Sequence, residues 1–353
     1  MADLLYGFTG LKDVVNERVT GDLIVPVTEA IDRTIEVHNK VTEDMLRLFT
    51  QPTTQYKVRY KSPFAAKLQP LDEYGRARKV RQAGYYDVAF PIKSAGTALG
   101  ETRLALAKMT IGQVNERIAL ILDADKRWLR DEILSALFGN TEYTFMDEEH
   151  GDLTIKPIAN GDDTRYLLRM GAEQGETADH FLSIPSMDDA NNNFSAIHQL
   201  LTKRPENAGD GKVITFIPTN LRDDVENLAA FKEASDPDIT EGIGKDRLTG
   251  TLNASVPGEV LGKVSRNWIV EWGAMPSDYM ISVITSGDRA LAMRQHPEAE
   301  LQGFYRSADR VDSPFFESQY ERHAGFGGWN RVNVVVTKVG GAYSVPSGFE
   351  RVG

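Results

Sequence analysis

Residues 110–139 read TIGQVNERIALILDADKRWLRDEILSALFG. Ile111, Val114, Ile118, Ile121, Leu122, Trp128, Leu129, Ile133 and Leu137 recur at three- and four-residue steps, the period that lines one face of an α-helix. Thr110 followed three positions on by Gln113 is a capping-box pattern, in which each side chain satisfies the other's backbone N–H. Gly139 and Asn140 suit the far end. At ~1.5 Å per residue such a helix is about 40 Å long, longer than the average helix of a globular domain. It is expected to act as a spine, laying its Ile/Leu/Trp stripe on a sheet of the same chain.

Upstream of the spine the period changes from helical to alternating. Tyr56, Val58 and Tyr60 face one way and Lys57, Arg59 and Lys61 the other, as in a half-exposed strand. A second alternating run carries Tyr86, Val88, Phe90 and Ile92. The 24 residues between them, 62–85, hold little apolar content, and connections of that length are uncommon unless functional. Two strands with a long polar tip predict a hairpin arm. Its charge stands apart: Lys57, Arg59, Lys61, Lys67, Arg76, Arg78, Lys79 and Arg81 against Asp72 and Glu73 give residues 57–81 a net +6. The chain as a whole is −11, which leaves −17 for the rest. A basic arm on an acidic body favours docking onto another copy of the chain or onto nucleic acid. The plain alternative is a solvated loop.

Around these parts the reading is mixed α+β. Residues 1–26 are expected to be irregular as far as Pro26. Ile31, Ile35, His38, Val41, Met45 and Leu48 then mark one face of a helix that Pro52 stops. Residues 141–187 look strand- and loop-rich. A helix is expected over 188–203 with Phe194, Ile197, Leu200 and Leu201 inward, and a buried strand over 212–218. A further helix is capped by Asn220 with Asp223 in its first turn, where the dipole favours an anion. Residues 233–258 are turn-rich, and strands are expected over 268–272, 279–285 and 331–339.

Composition narrows the chemistry. The 353 residues contain no cysteine, which excludes disulfides, thiol nucleophiles and Cys-ligated zinc. An acidic chain is poorly suited to wrapping nucleic acid. No apolar run spans a bilayer, and the N-terminus lacks a signal-peptide pattern, so a cytoplasm-like compartment is expected. The histidines (His38, His150, His180, His198, His296, His323) lack zinc-protease spacing, and there is no serine elbow or phosphate loop. His38 falls on an apolar stripe, where a satisfied core histidine is the plain explanation. Residues 325–328, Gly-Phe-Gly-Gly, read as a tight turn before a strand. The run from Asp236 fails as a calcium loop, with Glu241 and Arg247 at the positions that need Gly and Glu. Asp147, Glu148, Glu149 and Asp152 are a conceivable divalent-cation cluster, although adjacent loop acids are normally only solvated. Catalytic, cofactor and metal residues are therefore all expected to be none.

The order of parts is the specific signal. An N-terminal arm, a basic hairpin, a spine helix, a mixed domain and a C-terminal strand follow one another. So do Arg294-Gln295-His296-Pro297-Glu298, Leu301-Gln302-Gly303, Tyr320-Glu321-Arg322, Gly325-Phe326-Gly327 and Asn330-Arg331 before Val334-Val335-Val336. His180-Phe181-Leu182 and the run Val213–Asn220 add to this. Over most of residues 27–340 the chain resembles the major capsid proteins of tailed double-stranded-DNA bacteriophages, the Hong Kong ninety-seven fold.

That resemblance implies an N-arm and helix (1–50), an extended E-loop (51–107), a P domain (108–205 and 300–340), an A domain (206–299) and a C-terminal tail (341–353). It implies a shell protein rather than an enzyme, with no cofactor. The shell is built from pentamers and hexamers in the virion and assembled in the host cytoplasm, without a membrane. The eight arm cations named above are then the inter-subunit residues. Packaged DNA is content, not a sequence-specific ligand, and net repulsion keeps it off the wall. The first 26 residues are short for a cleaved scaffolding segment, so a separate scaffolding protein is expected, with a portal and a decoration protein as further partners. Lys67 and Lys79 lie in the arm, but nothing marks either as a covalent cross-linker. An encapsulin-type protein compartment and a carboxylate-dependent hydrolase are the alternatives.

Overall fold

A computed structural model describes residues 24–61, 70–71, 73–76, 85–102, 108–166, 176–204, 211–233, 257–312 and 315–351. The spine is present as one unbroken helix, Ile111–Phe138. Its capping box forms: the Thr110 N–H donates to Gln113 Oε1 at 3.1 Å, and the Gln113 N–H to Thr110 Oγ1 at 3.3 Å. At the other end the Gly139 N–H still reaches Ser135 O at 3.1 Å. Ile111, Val114, Ile118, Leu129, Ile133 and Leu137 are buried as the stripe requires, but Trp128 is only half-buried. Asp125, a carboxylate outside the apolar stripe, is also inside.

The elements, in order, are α1 (Ile24–Leu46), β1 (Thr50–Thr53), β2 (Lys57–Lys61), β3 (Tyr85–Ala89), β4 (Lys93–Thr102) and α2, the spine (Ile111–Phe138). Then come β5 (Tyr143–Asp147), β6 (Gly151–Ile155), β7 (Asn160–Tyr166), β8 (Glu176–Asp179), β9 (Phe181–Ile184), α3 (Phe194–Thr202), β10 (Val213–Ile217) and α4 (Arg222–Glu226). Last are β11 (Phe231–Glu233), β12 (Glu259–Val264), β13 (Asn267–Glu271), β14 (Tyr279–Ile284), β15 (Leu291–Gln295), β16 (Phe304–Asp312), β17 (Phe315–Gly328) and β18 (Val334–Val339). The class is α+β, as expected. The chain falls into two compact units: residues 1–45, 92–133 and 294–325 form one, and residues 46–91, 134–293 and 326–353 the other.

In the first unit, β17 is flanked by antiparallel β4 and β16. Ala30, Ile31 and Ile35 of α1, Ile111, Val114, Ile118 and Ile121 of α2, and Phe304 and Tyr320 of the strands close one apolar core. Helix α1 starts before Pro26, which its first turn tolerates because those N–H groups have no helical partner. It ends at Leu46, well short of Pro52, which lies in β1. Val41 is 56% exposed, and the neighbouring Thr42 takes the inward position. The Thr42 hydroxyl donates to His38 O at 2.7 Å, so a polar side chain enters the core satisfied.

In the second unit a seven-stranded mixed sheet runs β11-β12-β13-β10-β14-β18-β9. Its centre, β10, is Val-Ile-Thr-Phe-Ile, buried at every position, with β13 parallel on one side and β14 antiparallel on the other. A continuous apolar run is what a strand covered on both faces needs. The one hydroxyl, Thr215, meets Ser282 Oγ at 2.8 Å on its cross-strand partner. Phe194, Ile197 and Leu201 of α3 are fully buried. That helix begins later than the expected 188, because Asp188 closes a turn first: Oδ1 accepts the Ala190 and Asn191 N–H groups at 2.9 Å. Asn220 does not cap α4. It lies in a single 3-10 turn, Thr219–Leu221, and its amide donates to Asp278 Oδ1 at 2.8 Å. Asp223 does stand in the first turn of α4. The turn-rich reading of 233–258 lies almost wholly outside the described residues.

Residues 325–328 are the end of β17, not a turn. A Cβ on Gly327 would stand 3.0 Å from Ala89 O and from Phe90 Cδ1, and one on Gly328 3.1 Å from Lys156 O. These glycines let backbones meet closely inside a strand.

Candidate functional site

The arm begins as the alternation requires. Strands β2 and β3 pair antiparallel in the register Lys57↔Ala89, Val58↔Val88, Arg59↔Asp87. Val88 and Phe90 are buried, and Val58 packs against that cluster. Tyr56, on the same strand-edge approach, stacks on the His150 ring at 3.8 Å between centroids. The polar face of the hairpin centres on Asp87. Arg59 Nε and a terminal nitrogen donate to its two oxygens at 2.8 and 3.1 Å, and Lys57 Nζ stands 2.8 Å away. The hydrogen bonds from Arg59 and then Lys57 hold the Asp87 carboxyl well below the usual carboxylate range.

Two of the eight predicted cations, Lys57 and Arg59, are thus brought together by a carboxylate that lies beyond residues 57–81. Exposed pairs of this kind contribute only about 0–1 kcal/mol each, so they set hairpin register rather than subunit stability. Asp87 was legible in one respect: hairpin register places it directly across from Arg59. Lys61 ends β2. Arg76 is exposed, its guanidinium 5.8 Å from the centre of the Tyr74 ring. Lys67, Arg78, Lys79 and Arg81 lie outside the described residues.

The acidic run 147–152 does not converge on a common point. Asp147 Oδ1 accepts the N–H groups of Glu149 and His150 at 3.1 and 2.9 Å and the His150 ring nitrogen at 3.0 Å, closing the β5–β6 turn, while Glu148 and Glu149 face solvent. No cluster of three or more His, Asp or Glu side chains placed to hold a metal occurs among the described residues. None of their helices is long and apolar enough to cross a membrane.

Buried charge is used for packing instead. In the first unit His38 Nε2 donates to Asp125 Oδ2 at 2.7 Å, and Arg322 clamps the same carboxylate through 2.5 and 2.8 Å contacts. Burial pushes the Asp125 carboxyl up, but hydrogen bonds from His38 and Arg322 and the Arg322 charge outweigh it, and the net direction is down. In the second unit Arg331 is fully buried. It donates to Pro157 O at 2.5 Å and pairs with Asp162 at 3.0 Å. His180 is also fully buried. Its Nδ1–H donates to Val334 O at 2.7 Å, and Nε2 has no hydrogen-bond partner among the described residues. Desolvation, with the charges of Arg204, Lys203 and Arg331 adding to it, pushes the His180 pKa down to about 3.

No protein-family model matches the sequence, and no curated protein is similar to it in sequence. Solved structures are similar in fold. One, from Mycobacterium phage Patience, superposes with a TM-score of 0.67 at 18% identity, over 98% of this chain and 96% of that one. This chain has the same fold. Looser similarities, both with a TM-score of 0.49 at 10% identity, are to the capsid of the native GTA particle and to the mature capsid of bacteriophage PhiM1. They cover 84% and 83% of this chain and 90% and 86% of those chains.

Proposed function

We propose that the chain is the major capsid protein of a tailed double-stranded-DNA bacteriophage, a structural protein whose copies close into the icosahedral head shell. The observation that carries this reading is a fold shared with a phage protein from end to end, 98% of one chain against 96% of the other. The order arm, spine, mixed domain and final strand, legible in the sequence over most of residues 27–340, supports the same reading.

On this reading residues 51–107 are the E-loop, and its cations, from Lys57 and Arg59 at the base to Arg76, Arg78, Lys79 and Arg81 beyond, meet the acidic body of a neighbouring copy. The peripheral and axial regions follow the boundaries 108–205 with 300–340 and 206–299. Pentamers and hexamers form in the host cytoplasm with a separate scaffolding protein, a portal and a decoration protein as partners. DNA fills the shell without base-specific contact. Size-exclusion chromatography followed by negative-stain imaging tests this. Megadalton particles built of fivefold and sixfold rings are expected. Purified protein that stays monomeric with its scaffolding protein present would overturn the reading.

A further inference from the structure

Strand β17 belongs to a five-stranded sheet with β1, β15, β16 and β4, and the two strands that flank it along its first-unit length, β16 and β4, are built differently. On β16 the register with β17 breaks between Arg306 and Ala308, and the strand carries Arg306, Asp309, Arg310 and Asp312. A bulge and charges are the usual means of blunting an edge against further pairing. On β4 the register runs unbroken for ten residues, from Lys93↔Ala324 to Thr102↔Phe315. Between its ends the strand reads Ser-Ala-Gly-Thr-Ala-Leu-Gly, without charge or proline. Ser94, Gly96, Thr97, Ala98 and Gly100 are exposed, and among the described residues β4 pairs with β17 alone. A long edge without bulge, proline or central charge, unpaired among the described residues, is a template for another strand.

The sequence of β4 says which strand fits. Identical strands related by a twofold axis normal to the sheet pair antiparallel, so one register number fixes every contact. Centred on Thr97, that register sets Thr97 against its own copy, Ala95 against Leu99 and Lys93 against Glu101. On the other face it sets Gly96 against Ala98 and Ser94 against Gly100. Thr–Thr and opposite-charge pairs are favourable cross-strand neighbours. Shifting the centre by half a position or a whole one toward Ala98 removes the charge match. Lys93 already holds Glu132 at 2.9 Å, yet its side chain keeps 37% of its surface exposed, so it can bridge a second carboxylate.

We propose that β4 is a self-pairing edge: two copies of this chain join their first-unit sheets across a twofold axis through Thr97. This rests on the shell reading for its setting, where twofold contacts join neighbouring rings, but the pairing itself needs only a second copy.

The absence of cysteine makes the test clean. Directly opposed antiparallel residues have Cα atoms about 4.5–5.5 Å apart, within disulfide reach. Mild oxidation of assembled Thr97→Cys particles should give covalent dimers on a non-reducing gel, at least tenfold more than Ser307→Cys on the guarded β16 edge. Thr97→Lys, which sets two ammonium groups face to face, should lose assembly while keeping the wild-type circular dichroism spectrum. Intact Thr97→Cys particles with no excess of dimer over Ser307→Cys overturn the pairing and leave the shell standing. Cross-linked Thr97→Cys dimers from a protein that builds no particles support the pairing and overturn the shell reading.

Discussion

His38 and Asp125, 87 positions apart in the chain, meet at 2.7 Å inside the first unit, with Arg322 on the other side of the same carboxylate. Each of the three comes from a different element: α1, the spine α2, and β17. An ion group this deep adds little net stability by existing, since desolvation offsets attraction, but breaking it strands a charge. Asp125→Ala is therefore expected to destabilise the subunit by about 3–5 kcal/mol in denaturant titration. Replacing all three together by apolar residues of similar size should recover most of that loss. A single-variant cost below about 1 kcal/mol would show that water reaches the group.

Acid should weaken the second unit through His180. Its folded pKa, about 3, lies below the unfolded value of 6.5. Above pH 6.5 both states are neutral there and nothing is lost. As pH falls from 6.5 toward 3 the unfolded chain takes up a proton that the folded chain refuses, and stability drops by about 1.4 kcal/mol per pH unit. His180→Gln should be less stable at pH 8 yet show a pH slope flatter by that amount. An unchanged slope would assign the acid sensitivity elsewhere. Asp125, whose folded pKa is lowered, starts to contribute in the same direction only near and below the carboxylate value of 3.8.

Two neighbours on the spine should differ. Leu129 is fully buried, so Leu129→Ala is expected to cost about 2–5 kcal/mol by lost burial and the cavity left behind. Trp128 is half-buried, and Trp128→Ala should cost clearly less than the ~3–5 kcal/mol of a buried ring. Thermal midpoints of the two variants compare them directly, and a larger drop for Trp128→Ala would reverse the assignment.

Reversing Arg76, Arg78, Lys79 and Arg81 to glutamate changes residues 57–81 from +6 to −2. Assembly should fail or become aberrant while circular dichroism and melting of the subunit stay near wild type. Wild-type assembly should weaken in high salt as arm contacts are screened. Normal particles from the reversed variant would leave the arm as solvated surface.

Local periodicity was enough to place the spine with its capping box, the Val213–Ile217 core strand, α3 and the paired strands at the base of the arm. Each of these announces itself in its own residues: a 3.6 period, a continuous apolar run, an alternation. Strands β16 and β17 did not, and residues 325–328 passed for a turn. Their inward positions include Arg322 and Ser318, which spoil the apolar alternation that marks a strand. Asp125 broke the spine's stripe in the same way, and Thr42 displaced Val41 on α1. A polar side chain becomes a core residue only when a partner from a distant part of the chain cancels its desolvation cost, as Asp125 does for Arg322 and His38. Tight glycines follow the same logic, since Gly327 is explained by the carbonyl of Ala89 approaching it and by nothing in its own neighbourhood. Periodicity is a property of neighbours in the chain and can be read there; satisfaction of buried polar groups and close backbone contact are properties of neighbours in space, and exist only once the chain has folded.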